Sequence, residues 1–423
     1  MTTPLGRLVA LGAAACLLLT AGCANGQDTD AGSQPGRTNV VVSTDLPLQG
    51  ASASQTAATN ELIQLYLDQV GGKAGKYGVT LKTYDDSTAA KGAWDDAACA
   101  KNATDHVANT DEVAVMGTFN SGCAKIELPI LNQDSTGPML MVSHANSNPG
   151  LTKSWETGEP DKYYPSGSRN FARVVTSDDY QGNAAAIYAA KDLGVKKVFV
   201  LDDNQTYGLG IAKAFETAAG TEGIEVVGKA SWDAKQPNYT ALFQAVKASG
   251  ADMVYIAGVY DNNGGQLIKD KVAVLGDNSE VRLMGSDGFT GYPDLLALPQ
   301  SQGLYLTFSG LTTDQLIAAG GPPARLIEAY QARYGHPPVG NYALYGVAAM
   351  QVVLAAVAQS DGTRKSVTDA VFAGQGLTIP ASESVTGKEI RIDPASGDTS
   401  ARDVTVEQVK NGKETFVKAQ SVS

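Results

Sequence analysis

The most informative part of the sequence is residues 113–152, VAVMGTFNSGCAKIELPILNQDSTGPMLMVSHANSNPGLT. Two short apolar runs, 113–117 and 139–143, are typical of buried parallel strands, and each leads into a loop of small polar residues. Between them residues 124–132 have helical spacing, with Pro129 marking a bend or the helix end. Such a unit brings both loops to the carboxyl ends of neighbouring strands, where open α/β sheets bind ligands. The loops therefore suit a small polar or charged ligand, although ordinary surface loops have the same composition.

Alternating strands and helices extend this pattern along the chain. Buried strands are predicted at 39–43 and 79–84, and a second alternating run follows a turn-rich loop at 156–169. Helices dominate residues 324–372, and the tail from Glu389 returns to short antiparallel strands. A chain of 423 residues is long enough for two doubly wound α/β domains. The late change of pattern predicts that the chain crosses between these domains more than once.

The composition is that of a globular protein, with 43% hydrophobic and 18% charged residues. The formal net charge is -12, and Lys and Arg residues are not clustered. These features argue against nucleic acid and against anionic membrane surfaces as partners.

The first 23 residues are predicted to be an export signal. Arg7 precedes an apolar run at 8–22 that is too short to span a bilayer, and small residues come before Cys23. This ending resembles the bacterial lipoprotein signal, in which the cysteine is acylated and becomes the new N-terminus. The protein would then be extracytoplasmic and anchored to the cell membrane, with a plain secretory signal as the alternative. Residues 24–38 are polar and aperiodic, as expected of a flexible tether.

Two cysteines remain for the mature fold, Cys99 and Cys123, since Cys16 lies in the signal and Cys23 would carry lipid. In an exported chain two cysteines most simply form one disulfide. It would tie the helix around residues 97–106 to the first polar loop. Two buried free thiols or a metal pair are the alternatives, and no further ligands stand at metal spacing.

Sequence motifs for enzymatic chemistry are incomplete. Residues 207–210 (YGLG) follow a strand and open a helix as in a dinucleotide fingerprint, but Lys213 stands where a small residue is needed. Of the three histidines, His106 is predicted on a mostly solvated helix, and His144 is the sole candidate general base. With no assembled triad or metal site, we expect neither an enzyme nor a bound cofactor.

Five motifs point together to a known family. They are NSG at 120–122, SHANSNPGLT at 143–152, SDDYQG at 177–182, LDDNQTYGLG at 201–210 and MGSDGF at 284–289. In this order and spacing, with the lipoprotein signal, the chain resembles the extracytoplasmic solute-binding proteins of branched-chain amino acid ABC transporters, the Leu/Ile/Val-binding type. The resemblance extends from Val40 to the C-terminal tail.

The resemblance implies a type I periplasmic binding protein. This is an α/β fold of two doubly wound parallel-sheet lobes, joined by three crossovers, with a ligand cleft between them. We expect residues 39–170 and 309–375 to form the N-terminal lobe. Residues 171–308 and 376–423 would form the C-terminal lobe.

The resemblance also implies how a ligand is held. In that family loop hydroxyls and N–H groups of the first lobe bind the ligand carboxylate, and an acidic residue of the second lobe binds the amine. Ser121, Ala145 and Ser147 match the carboxylate positions, and Asp287, helped by the carbonyl of Ala145, matches the amine position. Plainer alternatives are helix caps for the serines, packing for Tyr207 and a turn for Asp287. The expected ligand-binding residues are Asn120, Ser121, Gly122, Ala145, Asn146, Ser147, Tyr207, Tyr260 and Asp287.

Three departures from the family bear on specificity. The loop at 46–54 lacks the aromatic residue that often packs on the ligand side chain, His144 stands where proline is frequent, and the loop at 156–169 is long. They allow a ligand larger or more polar than leucine. The sequence thus predicts a monomeric amino-acid-binding lipoprotein that delivers its ligand to an ABC permease. The alternatives are a sensor of the same fold, a binder of an amide or an aromatic acid, and a secreted hydrolase.

Overall fold

The computed structural model describes residues 38–422. The predicted signal at 1–23, including Cys23, and all but the last residue of the predicted tether lie outside the described residues. Within the described range, no helix combines the length and the apolar character needed to cross a bilayer.

The described residues form seventeen strands, and the central ones are continuous apolar runs such as VAVMG, as expected of strands buried on both faces. In chain order they are Asn39–Leu46 (β1), Lys73–Ala74 (β2), Tyr77–Asp85 (β3), Ser87–Thr88 (β4), Ala93–Trp94 (β5), Glu112–Gly117 (β6), Leu140–Ser143 (β7), Phe171–Arg173 (β8), Lys197–Asp202 (β9), Glu225–Ser231 (β10), Met253–Ala257 (β11), Arg282–Gly285 (β12), Tyr305–Phe308 (β13), Thr378–Ile379 (β14), Ile390–Arg391 (β15), Asp403–Lys410 (β16) and Lys413–Ser421 (β17).

Twelve α-helices occur in the same range, and several begin at a polar cap, such as Asp95, whose carboxylate accepts from the N–H groups of Ala97 and Ala98. They are Ala53–Gln69 (α1), Asp96–Ala108 (α2), Ser121–Asn132 (α3), Asp178–Lys191 (α4), Thr206–Thr221 (α5), Thr240–Ser249 (α6), Gly264–Leu275 (α7), Pro293–Ala297 (α8), Thr313–Ala318 (α9), Pro322–Tyr334 (α10), Tyr342–Ala358 (α11) and Arg364–Phe372 (α12).

The first sheet has six strands in the order β2-β3-β1-β6-β7-β8, parallel except for the β2–β3 pair. Its two faces are covered by different helices, which explains why β6 is apolar at successive positions. Ala114 and Met116 join the core formed with α1 and α11, whereas Val115 faces the core formed with α3. Both polar loops of the 113–152 stretch therefore lie at the carboxyl edge of this sheet.

The second sheet has seven strands in the order β10-β9-β11-β12-β13-β16-β17. The first five are parallel, and the C-terminal pair β16–β17 adds to β13 in antiparallel fashion. In β11, Tyr255 packs towards α4 and α5, and Val254 and Ile256 pack towards α6 and α7. This confirms the predicted second α/β sheet and the antiparallel tail.

The chain passes between the sheets three times, after β8, after β13 and before β16. The three passages lie side by side, because the Thr176 N–H donates to the Ser309 carbonyl at 3.0 Å and the Thr176 hydroxyl donates to the Asp403 carbonyl at 2.9 Å. The fold is therefore the predicted pair of doubly wound lobes joined by three crossovers.

Strand pairing favours lobe boundaries that differ from the predicted 170/171 and 375/376. Phe171–Arg173 pairs in parallel with β7 of the first sheet. Ile379 and Ile390 are buried in the core of that same sheet. We therefore propose that the first lobe comprises residues 38–175 and about 309–400, with the rest of the described chain in the second lobe.

Two local features bear on predicted residues. Cys99 and Cys123 form a disulfide that joins α2 to the first turn of α3. The prediction that His106 lies on a mostly solvated helix is wrong for this residue. His106 is fully buried, with its ring between the carboxylates of Asp45 and Glu112.

Candidate functional site

A small cavity lies between the lobes, at the carboxyl ends of strands from both sheets. Its volume is about 20 Å³, which holds about one water molecule. A ligand of amino-acid size therefore enters only when the lobes separate. The lining residues are Phe119, Asn120, Ser121, Ala145, Tyr207, Val259, Asp287, Gly288 and Tyr342.

Asp287 is the charged group of this cavity. It follows β12 directly and is only 2% exposed. Its Oδ1 accepts from the hydroxyl of Tyr207, and its Oδ2 accepts from the hydroxyls of Ser309 at 2.6 Å and Tyr342 at 2.7 Å. A carboxylate offers about four acceptor positions, so three hydroxyls leave about one for another donor. Residues of the second lobe, a crossover and the first lobe all meet at this carboxylate.

A second acidic side chain, Asp178, is buried nearby at the start of α4. Burial, followed by the negative charge of Asp287, raises the pKa of the Asp178 carboxyl well above its usual value. The Ser147 hydroxyl lies within hydrogen-bonding reach of this carboxyl. Asp178 is therefore less readily charged than an ordinary aspartate, and Asp287 is the acidic side chain that lines the cavity.

The opposite wall of the cleft is the start of α3. Its N-cap residue Asn120 makes no side-chain cap hydrogen bond, which leaves the first N–H groups and the positive end of the helix dipole available. The Ser121 hydroxyl accepts only a long bond of 3.4 Å from the Asn148 N–H. In the neighbouring loop, the Asn146 amide nitrogen is buried without a partner among the described residues, and the Ser147 hydroxyl lies within hydrogen-bonding reach of the Asp178 carboxyl. These groups suit an anion such as a carboxylate.

Ala145 and Gly122 also make structural contacts in the first lobe, and their predicted contact with a ligand stays a prediction. The N–H groups of Ala145 and Asn146 both donate to the Ser143 hydroxyl, at 3.1 and 2.8 Å, in a tight turn after β7. At Gly122, a Cβ would lie 2.5 Å from the ring of Trp94, so the residue allows α3 to approach that ring. Ala145 lines the cavity, whereas Gly122 does not.

Tyr260 does not line this cavity. Its ring packs against Tyr292 at a centroid distance of 4.9 Å and against Phe289 at 6.2 Å. Its backbone N–H donates to the Gly288 carbonyl at 2.8 Å. Its predicted contact with a ligand stays a prediction.

Aromatic rings close the side of the cleft that belongs to the first lobe. Phe119 packs against Tyr342 at 5.3 Å and against His144 at 6.1 Å. Burial lowers the pKa of His144 to about 4, so its imidazole is neutral at pH 7, and its ring nitrogens have no partner in the described residues. His144 therefore behaves as part of an aromatic wall.

Direct hydrogen bonds join the lobes on either side of the cavity. The Ser52 hydroxyl donates to both oxygens of Asp261, at 2.7 and 2.8 Å, and the Ser52 N–H donates to the same carboxylate at 3.1 Å. On the other side, the Asn148 amide donates to the Thr206 carbonyl at 2.9 Å. The two lobes are thus closed over the cleft.

Six residues of the site were not predicted, and they are Phe119, Asp178, Val259, Gly288, Ser309 and Tyr342. Ser309 directly follows β13, so the strand pattern alone places it at the carboxyl edge of the second sheet. Tyr342 lies in α11, which is apolar and buried along almost its whole length, so the sequence pattern indicates only a core position for this residue. Phe119 directly precedes the motif at 120–122, Asp178 and Gly288 lie inside the motifs at 177–182 and 284–289, and none of the three was given a role.

The chain matches a known family over most of its length. A family model described as "Periplasmic binding protein" matches residues 44–413. Leu/Ile/Val-binding protein BraC3 of Rhizobium johnstonii is 26% identical over 246 residues, which are 58% of this chain and 60% of that relative. The match thus spans less than two thirds of the relative's length.

Solved structures resemble the fold over a larger share of the chain. The leucine binding protein LivK of Thermotoga maritima has a TM-score of 0.73 at 21% identity, covering 90% of this chain and 99% of that one. A solute binding protein of an ABC transporter from R. palustris, in complex with benzoate, has a TM-score of 0.72 at 19% identity, covering 91% and 97%. At these identities the likeness shows a shared fold.

Proposed function

Because the chain belongs to the periplasmic binding protein family, we propose that it captures a small amino acid of the branched-chain class between its two lobes. The observation that carries this proposal is the buried carboxylate of Asp287, held by three hydroxyls with one acceptor position left. An ammonium group removed from water needs a charged or strongly polar partner, and this carboxylate supplies one.

The site also offers hydrogen-bond donors to the carboxylate of an amino acid. The N-terminus of α3 and the hydroxyls of Ser121 and Ser147 offer donors to a carboxylate. Asp287 belongs to the second lobe and these donors belong to the first lobe. A ligand with both charges therefore bridges the lobes and stabilises their closed arrangement.

Closure in turn provides a signal that a partner can recognise. The crossovers that meet at Thr176 act as a hinge, and the Ser52–Asp261 contact forms when the lobes close. We propose that the protein is a monomer attached to the extracytoplasmic face of the membrane through Cys23 and that the closed form delivers its ligand to an ABC permease. A sensor that reports ligand occupancy to another membrane protein would use the same closure.

A second candidate ligand class is an aromatic acid. The wall formed by Phe119, His144 and Tyr342 offers ring surfaces to such a ligand, and the R. palustris relative was crystallised with benzoate. The buried carboxylate of Asp287 disfavours this class, because it would not gain a cationic partner.

Thermal unfolding with a ligand panel tests the proposal. The protein is first unfolded and refolded to remove carried-over ligand, and then heated with amino acids, their deaminated and amidated analogues, and benzoates. A ligand present at about a hundred times its dissociation constant stabilises the folded state by about 2.7 kcal/mol. We expect a shift with one class of free amino acid and none with its deaminated analogue.

The matched variants are Asp287→Asn and Asp294→Asn, the latter at an exposed carboxylate of the same lobe. We expect Asp287→Asn to weaken binding by about 2 kcal/mol or more, a factor of about thirty, and Asp294→Asn to leave it unchanged. Stabilisation by benzoates alone would refute the amino-acid assignment and favour the second candidate.

A further inference from the structure

A second group of buried ionisable side chains lies inside the first lobe, away from the cleft. Asp45 ends β1, His106 lies on α2 and Glu127 lies on α3, and all three are fully buried. One ligand atom from each lies within 4.8 Å of the others. Metal–ligand distances of about 2.0–2.2 Å place the ligands of one ion within this range of one another.

The hydrogen bonds around this group orient its members for metal binding. His106 Nδ1 lies 2.5 Å from Glu112 Oε1, and His106 Nε2 lies 3.2 Å from Asp45 Oδ2. A proton on Nδ1 donated to Glu112 leaves the lone pair of Nε2 directed towards Asp45. The Asn102 amide donates to the other Asp45 oxygen at 3.0 Å. A histidine fixed by a carboxylate behind it is the usual arrangement around protein-bound metals.

Unpartnered oxygens face this group. Glu127 Oε2 and both carboxyl oxygens of Asp86 are buried without a hydrogen-bond partner among the described residues. Asp86 lies close enough to Asp45 for their charges to interact. Glu127 interacts with the charges of Asp45, Asp86 and Glu112, and its carboxyl also lies within hydrogen-bonding reach of the Asp45 carboxyl. Such groups are costly to bury unless something neutralises them.

The protein supplies little positive charge here. Arg364 approaches the group, but its Nε donates to the backbone carbonyl of Glu112, and its ion pair is with Asp134 at 2.9 Å. The other donors to the Glu112 carboxylate include the Tyr84 hydroxyl at 3.3 Å and the Asn109 amide at 3.0 Å, both neutral groups. Four buried carboxyl groups thus share one imidazole.

We propose that Asp45, His106 and Glu127 bind one divalent transition-metal ion, with Asp86 beside them as a further source of negative charge. One imidazole with two or three carboxylates suits Zn²⁺ or Mn²⁺, whereas Ca²⁺ and Mg²⁺ prefer oxygen ligands alone. The ion would tie β1, α2 and α3 together next to the Cys99–Cys123 disulfide. The proposal is independent of the ligand assigned to the cleft.

Protonation of the buried carboxyl groups is the alternative to metal binding. Burial, followed by the charge of Asp45, raises the pKa values of Asp86 and Glu127 well above their usual range. Protonated carboxyls would also remove the excess charge. The experiment therefore distinguishes metal from protons.

The full chain, made without a polyhistidine tag, is dialysed against EDTA and then titrated with Zn²⁺ and with Mn²⁺. We expect one equivalent of one of these ions to bind, and a concentration of about a hundred times its dissociation constant to raise the unfolding midpoint by about 3–5 °C. Elemental analysis of the protein after gel filtration checks the stoichiometry.

Glu127→Gln keeps the shape of the side chain and removes its charge, so it keeps the fold testable. We expect it to weaken metal binding at least tenfold, whereas His336→Gln, at an exposed histidine, binds like the wild type. Unchanged affinity in Glu127→Gln would place the metal elsewhere and overturn the proposal. Absence of binding, with Glu127→Gln more stable than the wild type, would show that protons occupy the group and would also overturn it.

Discussion

Replacing Ser52 with alanine removes the most direct hydrogen-bonded link between the lobes. The Ser52 hydroxyl donates to both oxygens of Asp261, which also accepts from Tyr292 at 2.6 Å within the second lobe. Ser52 is 2% exposed, so water does not replace the lost donor in the closed form. In the open form the Asp261 carboxylate gains water as a partner, and the substitution has little effect there.

The magnitude follows from the charge of the acceptor. A hydrogen bond to a charged group contributes about 1.5–3 kcal/mol, and each 1.4 kcal/mol changes an equilibrium constant tenfold. Ligand binding includes the free energy of closure, so Ser52→Ala should raise the dissociation constant by roughly 10–100-fold. The effect should appear mainly as faster ligand release.

Isothermal titration calorimetry measures the affinity, and stopped-flow fluorescence measures the two rates. Ser231→Ala is the matched control, because its hydroxyl donates to Asp202 at 2.6 Å inside the second lobe alone. A dissociation constant within twofold of the wild type in Ser52→Ala would contradict this prediction and show that the contact contributes nothing to closure.

Two further predictions concern stability. The Cys99–Cys123 disulfide has a sequence separation of 24 residues, and replacing both cysteines with serine should lower the free energy of unfolding by about 3 kcal/mol in urea titrations. Burial, followed by the charge of Glu414, raises the pKa of Glu407 to about 8. Because this folded-state value lies above the unfolded one, the contribution of Glu407 is fully present near pH 4 and is lost as the pH rises through about 8. The free energy of unfolding should therefore fall by about 1–3 kcal/mol between pH 5 and 9, and Glu407→Gln should flatten that profile.

Each of these two stability predictions has its own control. Reduction of the wild-type disulfide should reproduce the stability of the double serine variant, and a loss below about 1 kcal/mol in both would contradict the loop-closure argument. Glu389→Gln, at an exposed glutamate, should keep the wild-type pH profile. A profile equally steep in Glu407→Gln would assign the pH dependence to other groups.

Much of the fold was predictable because local patterns and tertiary structure agree. The strands predicted at 39–43 and 79–84 lie within Asn39–Leu46 and Tyr77–Asp85, and the strands of the 113–152 stretch lie where their apolar runs stand. Asp287 and Ser121 were identified from the family resemblance, and both line the cavity. Each stands in a loop beyond the carboxyl end of a strand, so the strand pattern also places them at the edge of a sheet.

Residues whose role depends on a distant partner were not predictable in this way. His106 has polar neighbours along α2, yet its ring meets Asp45, 61 positions earlier in the chain. Tyr342 reaches Asp287 from the other lobe across 55 positions. Asp45, His106 and Glu127 share no short spacing, so the sequence alone predicted no metal site. Pairings of this kind are fixed by topology, and single-sequence periodicity carries no information about them.

The late antiparallel pair β16–β17 has a consequence for how the chain is made. Synthesis starts at the N-terminus, so the five parallel strands of the second sheet are complete long before this pair emerges. Between them the chain builds α9 to α12 on the first lobe. Phe308 of β13 meets Thr405 of β16 only after that detour.

During that interval β13 is an open edge, with unpaired N–H and C=O groups that another nascent chain can pair with. Long-range pairings of this type also form slowly, because the entropy of a long loop is lost on closure before any contact compensates for that loss. Pairing of β16 with β13 therefore covers an edge of the second sheet that is otherwise open. Aggregation through β13 is therefore most favoured before the C-terminal strands have paired.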